Sequence, residues 1–195
     1  YLISNAPYLN QQTINTLKKR KIPIVLNQNG VFYPGWFFGN WKKQNEIMSN
    51  AYHQANYVFW QSKFCKYSAD KFLGTRYGDG KILYNAVDLN HFTPKKTASN
   101  SPFSFLITGK IGKELNYRIE SSIIALSIAR KQGLNAKLVV AGWIEDLKYF
   151  YEFSETYDLN KYIEFLGPYS QEEAPQIYQS ADALIITKYL DPCPN

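Results

Sequence analysis

Along the second half of the chain, short apolar runs alternate with stretches whose apolar residues recur at helical spacing. Residues 103–108 (FSFLIT) form a run that ends at Gly109. Residues 118–132 follow, with Ile119, Ile123, Ile124 and Ile128 at helical spacing and Gly133 as a stop. Residues 136–141 (AKLVVA) make a second buried-strand run ending at Gly142, and 145–157 read as helix. Residues 162–166 (YIEFL) make a third strand, ending at Gly167-Pro168. Ser170 with Glu173 three residues on is a capping-box pattern, opening a short helix to Gln179, and 183–187 (ALIIT) is a fourth strand. Strand and helix alternating at this pitch predict a parallel sheet with covering helices. Gly at a strand end marks the βα loops that form the ligand crevice of such sheets.

The first half repeats the theme. A helix over 10–20 leads to a strand over 22–26 (IPIVL), then to a loop over 27–39 rich in aromatics and Gly. A helix near 42–54, a strand over 57–60, a helix over 63–73 and a strand over 81–84 follow. Ser62 suits the N-cap of the third helix. Residues 88–102 are polar, with Pro, Lys, Ser, Thr and Asn, which is linker composition. The expected organisation is an α/β domain over 1–90, a linker over 91–102 and a second α/β domain over 103–195. The chain opens at Tyr1 in what reads as mid-strand and closes just after a strand, so both domains read as incomplete.

Composition narrows the classes. The chain has 195 residues, 45% apolar and 19% charged, which suits a packed core and excludes wholesale disorder. No apolar run approaches the roughly 18 residues of a membrane span, and no signal-peptide pattern opens the chain. The net charge of +6 is uneven: residues 1–100 carry 13 Lys and Arg against 4 Asp and Glu, whereas 101–195 carry 9 against 12. A basic first half suits a phosphate-bearing substrate or an anionic membrane surface, as well as plain solubility. Its one dense run, Lys18 to Lys21, sits where a helix ends and also suits the helix dipole. Nucleic acid is not expected as a partner, because the positive residues are scattered and no recognition fold appears. Cys65 and Cys193 lie far apart without metal-ligand spacing, which points to a reducing compartment. His53 and His91 have no partner at metal spacing and receive no catalytic role. No metal site is expected.

Four segments in order carry a resemblance. Residues 82–94 (ILYNAVDLNHFTP) resemble the I-x-N-G-V-D-x-x-x-F-x-P segment of glycosyltransferase family 4. Gly109-Lys110 after an apolar strand resembles the family's donor-site G-R/K. YIEFLGP at 162–168, with Tyr178, Ala181 and Asp182, resembles V-x-F-L-G…Y-x-x-A-D, and Thr187 to Pro192 falls where the family has P-S-x-x-E-P. The resemblance covers roughly residues 22–195. It implies two Rossmann-like domains of GT-B type, with parallel sheets and helices on both faces. It further implies a retaining glycosyltransferase that moves a sugar from a nucleotide-diphospho-sugar to a glycan or lipid-linked acceptor. Such an enzyme would be cytoplasmic and would use no cofactor and no metal, and the basic first half leaves open a peripheral contact with the inner face of the membrane.

The implied site follows the same residues. During transfer, negative charge grows on the leaving diphosphate, which needs loop N–H groups, a helix N-terminus and cations. Gly109, Lys110, Gly112 and Lys113 lie in such a loop and Arg118 opens the next helix. Lys110 matches the first of the family's two cations; Arg118 is the choice for the second, with Lys113 in reserve. Asp191 aligns with the first acid of the family's E-x7-E motif, as Asp rather than Glu, and the second acid would fall beyond the chain. Asn195 falls among the loop N–H groups near the donor. In the first half Asn29 stands where many members have His; Asn hydrogen-bonds a sugar hydroxyl but is no base near neutral pH. Each has an ordinary alternative: solvated loop cations, an Asp-Pro turn, an Asn-Gly turn.

The loop at 30–41 holds Phe32, Tyr33, Trp36, Phe37, Phe38 and Trp41. Aromatic faces stack on sugars and also anchor at membrane interfaces, and local core under a loop is a third reading. The rival to the transferase is a non-catalytic α/β module that binds a nucleotide or phosphate. On either reading residues 1–195 alone are expected to lack turnover.

Overall fold

The structure is a computed structural model that describes residues 2–4, 9–35, 37–94 and 102–188. Asp191, Cys193, Asn195 and Trp36, and most of the expected linker, lie outside the described residues. The chain divides into two compact units, one holding Tyr1–Ala86 and the other Val87–Lys188.

The first unit is a parallel sheet in the order β1-β2-β3-β4, formed by Leu2–Ser4, Val25–Gln28, Tyr57–Trp60 and Gly80–Ile82. Its crossover helices are α1 (Gln11–Lys19), α2 (Trp41–Gln54) and α3 (Lys63–Leu73). Side-chain caps start all three: Asn10 accepts from the Thr13 N–H, Asn40 from Lys43 and Ser62 from Cys65. At the end of α1, Lys21 takes a φ of +56° while the Ile22 N–H reaches back to the Leu17 carbonyl, a Schellman closure without the usual Gly. β2 starts at Val25 rather than at Ile22, for two reasons. Pro23 has no N–H to give, and the Ile24 N–H is taken by the Asn56 side chain at 2.8 Å. The face carrying Leu26, Val58 and Trp60 packs against Ile14 and Leu17 of α1, Met48 and Tyr52 of α2, and Cys65 and Leu73 of α3. Val25, Tyr57 and Phe59 on the opposite face stay half-buried. Arg76 closes α2 from a distance: its guanidinium donates to the carbonyls of Tyr52 (2.7 Å) and Ala55 (2.6 Å).

The second unit is a parallel sheet in the order β7-β6-β5-β8. Its strands are β5 (Phe103–Thr108), β6 (Ala136–Ala141), β7 (Ile163–Gly167) and β8 (Ala183–Leu184). Between them run α4 (Tyr117–Lys131), α5 (Leu147–Glu155) and α6 (Ala174–Gln179). Both faces are covered. Ile107, Leu138 and Val140 pack with Ile119, Ile123 and Phe150 of α4 and α5, while Leu106, Val139 and Ala141 pack with Ile177 and Tyr178 of α6. That is why these strands read as continuous apolar runs instead of alternating. The capping box forms: the Ser170 N–H donates to Glu173 Oε2 at 2.7 Å, and the Glu173 N–H returns to Ser170 Oγ at 3.3 Å. β8 is shorter than the apolar run suggested, although the Ile185 N–H still reaches the Leu106 carbonyl. Asp182 pins its start by accepting from the Ser104 N–H at 2.8 Å. Residues ahead of β5 belong to this unit too: Thr93 accepts from Gln179 at 2.9 Å, and the Phe92 ring lies 6.0 Å from Tyr178.

The chain runs outward from β5 through β6 to β7, then returns to place β8 on the other side of β5. Such a reversal leaves a crevice at the carboxyl ends of the strands on either side of it, here β5 and β8.

Candidate active site

At the carboxyl ends of β5, β6 and β7 stand Gly109, Gly142 and Gly167, with φ of +137°, +123° and +76°. The turns are laced together. The Gly109 N–H donates to Ala141 at 3.1 Å and the Gly142 N–H to Gly167 at 2.7 Å. A Cβ on Gly142 would land on the carbonyl oxygen of Gly109, so only glycine lets these two turns approach. Beyond Gly109 the loop continues into a 3₁₀ turn at Lys113–Leu115 and then α4.

Arg118, in the first turn of α4, folds back over this end of β5. A Cβ on Gly109 would sit 3.3 Å from Arg118 Nη1. Arg118 Nη2 donates to the Thr108 carbonyl at 3.4 Å. Its Nε is shielded from solvent and has no hydrogen-bond partner among the described residues. A buried donor without an acceptor is uncommon and calls for an explanation. Thr187, just past β8, donates its hydroxyl to the Arg118 carbonyl at 3.2 Å. The two strand ends that flank the crevice are thereby tied to the same arginine.

The other sequence-derived cations sit differently. Lys110 is exposed, and its ammonium lies 5.0 Å from the Trp143 ring centroid. Lys113 is held through its backbone N–H, which donates to Glu145 Oε2 at 3.0 Å. Gly112 is buried beside the Glu114 carboxylate. Gly109, Arg118 and Thr187 are therefore brought together, while Lys110 and Lys113 stand along the rim of the same loop. Three polar groups at this edge were not among the expected site residues, although Tyr178 belongs to the Y-x-x-A-D segment. Thr108 Oγ1 lies 3.4 Å from the Tyr178 phenol oxygen, and burial pushes the neighbouring Tyr169 phenol above its usual pKa.

In the first unit Asn29 directly follows β2. Its Oδ1 accepts from Gln61 Nε2 at 3.1 Å, so the β3–α3 turn orients its amide. Gln28 is 2% exposed; its amide donates to the Gly30 carbonyl and to Met48 Sδ, and its backbone carbonyl accepts from the Cys65 thiol at 3.0 Å. Asn45 of α2 is 3% exposed and grips Phe32 on both backbone groups: Oδ1 accepts from the Phe32 N–H at 2.9 Å and Nδ2 donates to its carbonyl at 2.8 Å. His53 bonds the Leu73 carbonyl at 2.8 Å, and His91 lies 3.4 Å from the Gln171 carbonyl. Among the described residues no three His, Cys, Asp or Glu side chains gather as metal ligands.

No curated protein sequence matches this chain. Solved structures do. A lipopolysaccharide outer core galactosyltransferase, WaaB, in its apo form is 15% identical over 93% of this chain, with a TM-score of 0.66. Sucrose-phosphate synthase from Thermosynechococcus elongatus is 13% identical over 92%, with a TM-score of 0.71. The pneumococcal O-GlcNAc transferase GtfA, solved with UDP and GlcNAc, is 10% identical over 98%, with a TM-score of 0.68. The matched region spans 48%, 48% and 38% of those chains, so this sequence corresponds to about half of such a protein or less. The likeness shows the fold: mixed α/β with parallel sheets, of the GT-B glycosyltransferase kind. The family described as glycosyl transferases group 1 matches residues 92–194. That match covers more than half of the chain, and the protein belongs to the group 1 glycosyl transferases.

Proposed function

We propose that the second unit is the donor half of a retaining transferase that uses a nucleotide-diphospho-sugar. The observation that carries the reading is Arg118, a cation folded onto a glycine strand end with a shielded N–H left over. As the glycosidic bond breaks, the electron pair goes to the β-phosphate oxygen and negative charge grows there. The Arg118 guanidinium and the N-terminus of α4 stabilise that charge, since the loop N–H groups of Gly109, Ile111 and Lys113 are already bonded within the unit. Lys110 adds a second positive charge from the rim. With cations in these places the diphosphate needs no metal ion. Asp191 is proposed near the transferred sugar and Asn195 among the donor-side loop N–H groups.

The first unit supplies the acceptor half. Asn29 hydrogen-bonds a hydroxyl, and the departing phosphate, rather than a side-chain base, takes the acceptor proton. The acceptor is a glycan or a lipid-linked glycan. The Lys18 to Lys21 run and the excess of basic residues in this half support contact with an anionic membrane at its cytoplasmic face. No helix among the described residues is long and apolar enough to cross a membrane.

The test is Arg118→Ala in the complete enzyme, assayed with UDP-, GDP- and ADP-sugars. Loss of one charge-stabilising group lowers kcat/KM by about 10²–10³-fold. Unchanged kcat/KM would reject the assignment.

A further inference from the structure

The described residues of the loop between β2 and α2 make more contacts than a connection needs. The loop leaves the carboxyl end of β2 at Asn29 and enters α2 at the Asn40 cap, so it lies along the sheet edge that carries the proposed acceptor residue. Val31 and Tyr33 are buried, each 7% exposed, and fasten it to the core. Asn45 satisfies both backbone groups of Phe32, and Gln28 holds the Gly30 carbonyl. The chain turns back at Phe37, whose N–H donates to the Tyr33 carbonyl at 3.2 Å, and the Phe37 ring meets Phe32 edge-on at 5.0 Å. A Cβ at Gly39 would sit 2.7 Å from the Phe37 ring, so glycine there leaves room for that ring. Out of this fixed turn projects Phe38, 81% exposed.

We propose that this loop is a preformed platform for a pyranose ring of the acceptor, with Phe38 as its stacking face and Asn45 and Gln28 as positioning residues. The proposal rests on the transferase reading above. A sugar presents one face of C–H groups that stacks on an aromatic ring, and its hydroxyls then project sideways towards groups such as Asn29. Stacking needs a ring fixed in orientation, and two buried amides and two buried anchors fix the loop that carries it. A membrane anchor has no such need. It needs contiguous apolar area, yet among the described loop residues Val31 and Tyr33 spend theirs on the core and Phe38 is the one exposed aromatic, which binds bilayers weakly.

The experiment is saturation-transfer-difference NMR on the chain, with methyl glycosides of glucose, galactose and N-acetylglucosamine as probes. UDP binding is measured in parallel, together with sedimentation of vesicles of phosphatidylcholine and phosphatidylglycerol. Phe38 is exposed, so Phe38→Ala leaves the fold intact. The expected result is signal on the ring C–H protons of at least one glycoside, with affinity weakened about five- to tenfold in Phe38→Ala and UDP binding unchanged. Asn45→Asp removes the donor to Phe32 while keeping the shape; it is expected to weaken the same glycoside and leave UDP binding unchanged. No glycoside signal, or a signal that Phe38→Ala leaves intact, overturns the platform. Vesicle binding lost in Phe38→Ala without glycoside signal overturns it in favour of a membrane anchor. UDP binding judges the donor assignment separately.

Discussion

The two units end their parallel strands in opposite ways. In the second, β5, β6 and β7 each end at or beside a glycine with positive φ, and one arginine folds back over the end of β5. In the first, β2 ends at Gln28 with Asn29 directly after it, and the edge is organised by the side-chain amides of Gln28, Asn45 and Gln61. Their charges differ too: 1–86 holds 11 basic and 3 acidic residues, 87–188 holds 11 and 12. A diphosphate is anionic, and a cation beside a helix N-terminus suits it. A sugar acceptor offers many neutral hydroxyls, and amides that both donate and accept suit those. The proposed division of chemistry between the halves rests on how these strands stop.

The comparison breaks most readily at Gly142. Gly142→Ala drives a methyl group into the Gly109 carbonyl at a positive φ, and it is expected to destabilise the second unit by about 3–5 kcal/mol. Chemical denaturation reads this directly, and a loss under about 1 kcal/mol would show that the turns can part without cost. Asn45→Ala probes the other side. It leaves the Phe32 N–H and carbonyl without their side-chain partner, at roughly 2–3 kcal/mol. It should lower stability in the first unit and leave nucleotide binding alone. A matching drop in nucleotide affinity would erase the division of labour.

The smallest effect is a pH signature from Tyr52 of the first unit. Burial lifts the Tyr52 phenol from 10.0 to about 12, with Trp60 and Asp70 as hydrogen-bond partners. The folded state therefore holds this proton more tightly than the unfolded chain. The stability it contributes is fully present below pH 10 and is lost as pH rises through about 12. Melting temperature against pH should fall over that window, and Tyr52→Phe should flatten the fall. An unchanged slope in Tyr52→Phe would place the alkaline loss elsewhere.

Much of this was legible in the sequence because it is local. The strands over 57–60, 103–108 and 136–141, and the helix over 63–73 with its Ser62 cap, stand where the apolar pattern puts them. Gly109 and Arg118 were legible as a strand-end glycine and a cation opening the next helix. What escaped is long-range. Asn45 sits inside an ordinary amphipathic helix, and nothing local says that it grips Phe32. Arg76 lies in a turn with no sign that it caps α2. Pro23 moved the start of β2, because the apolar run there counts side chains and not available N–H groups.

The central claim is that Arg118 and the glycine turn hold a nucleoside diphosphate. Calorimetric titration of the chain with UDP, GDP and ADP tests it most directly. The account predicts saturable binding of at least one, weakened about tenfold or more by Arg118→Ala. Binding that Arg118→Ala leaves unchanged, or no binding of any of the three, would contradict it.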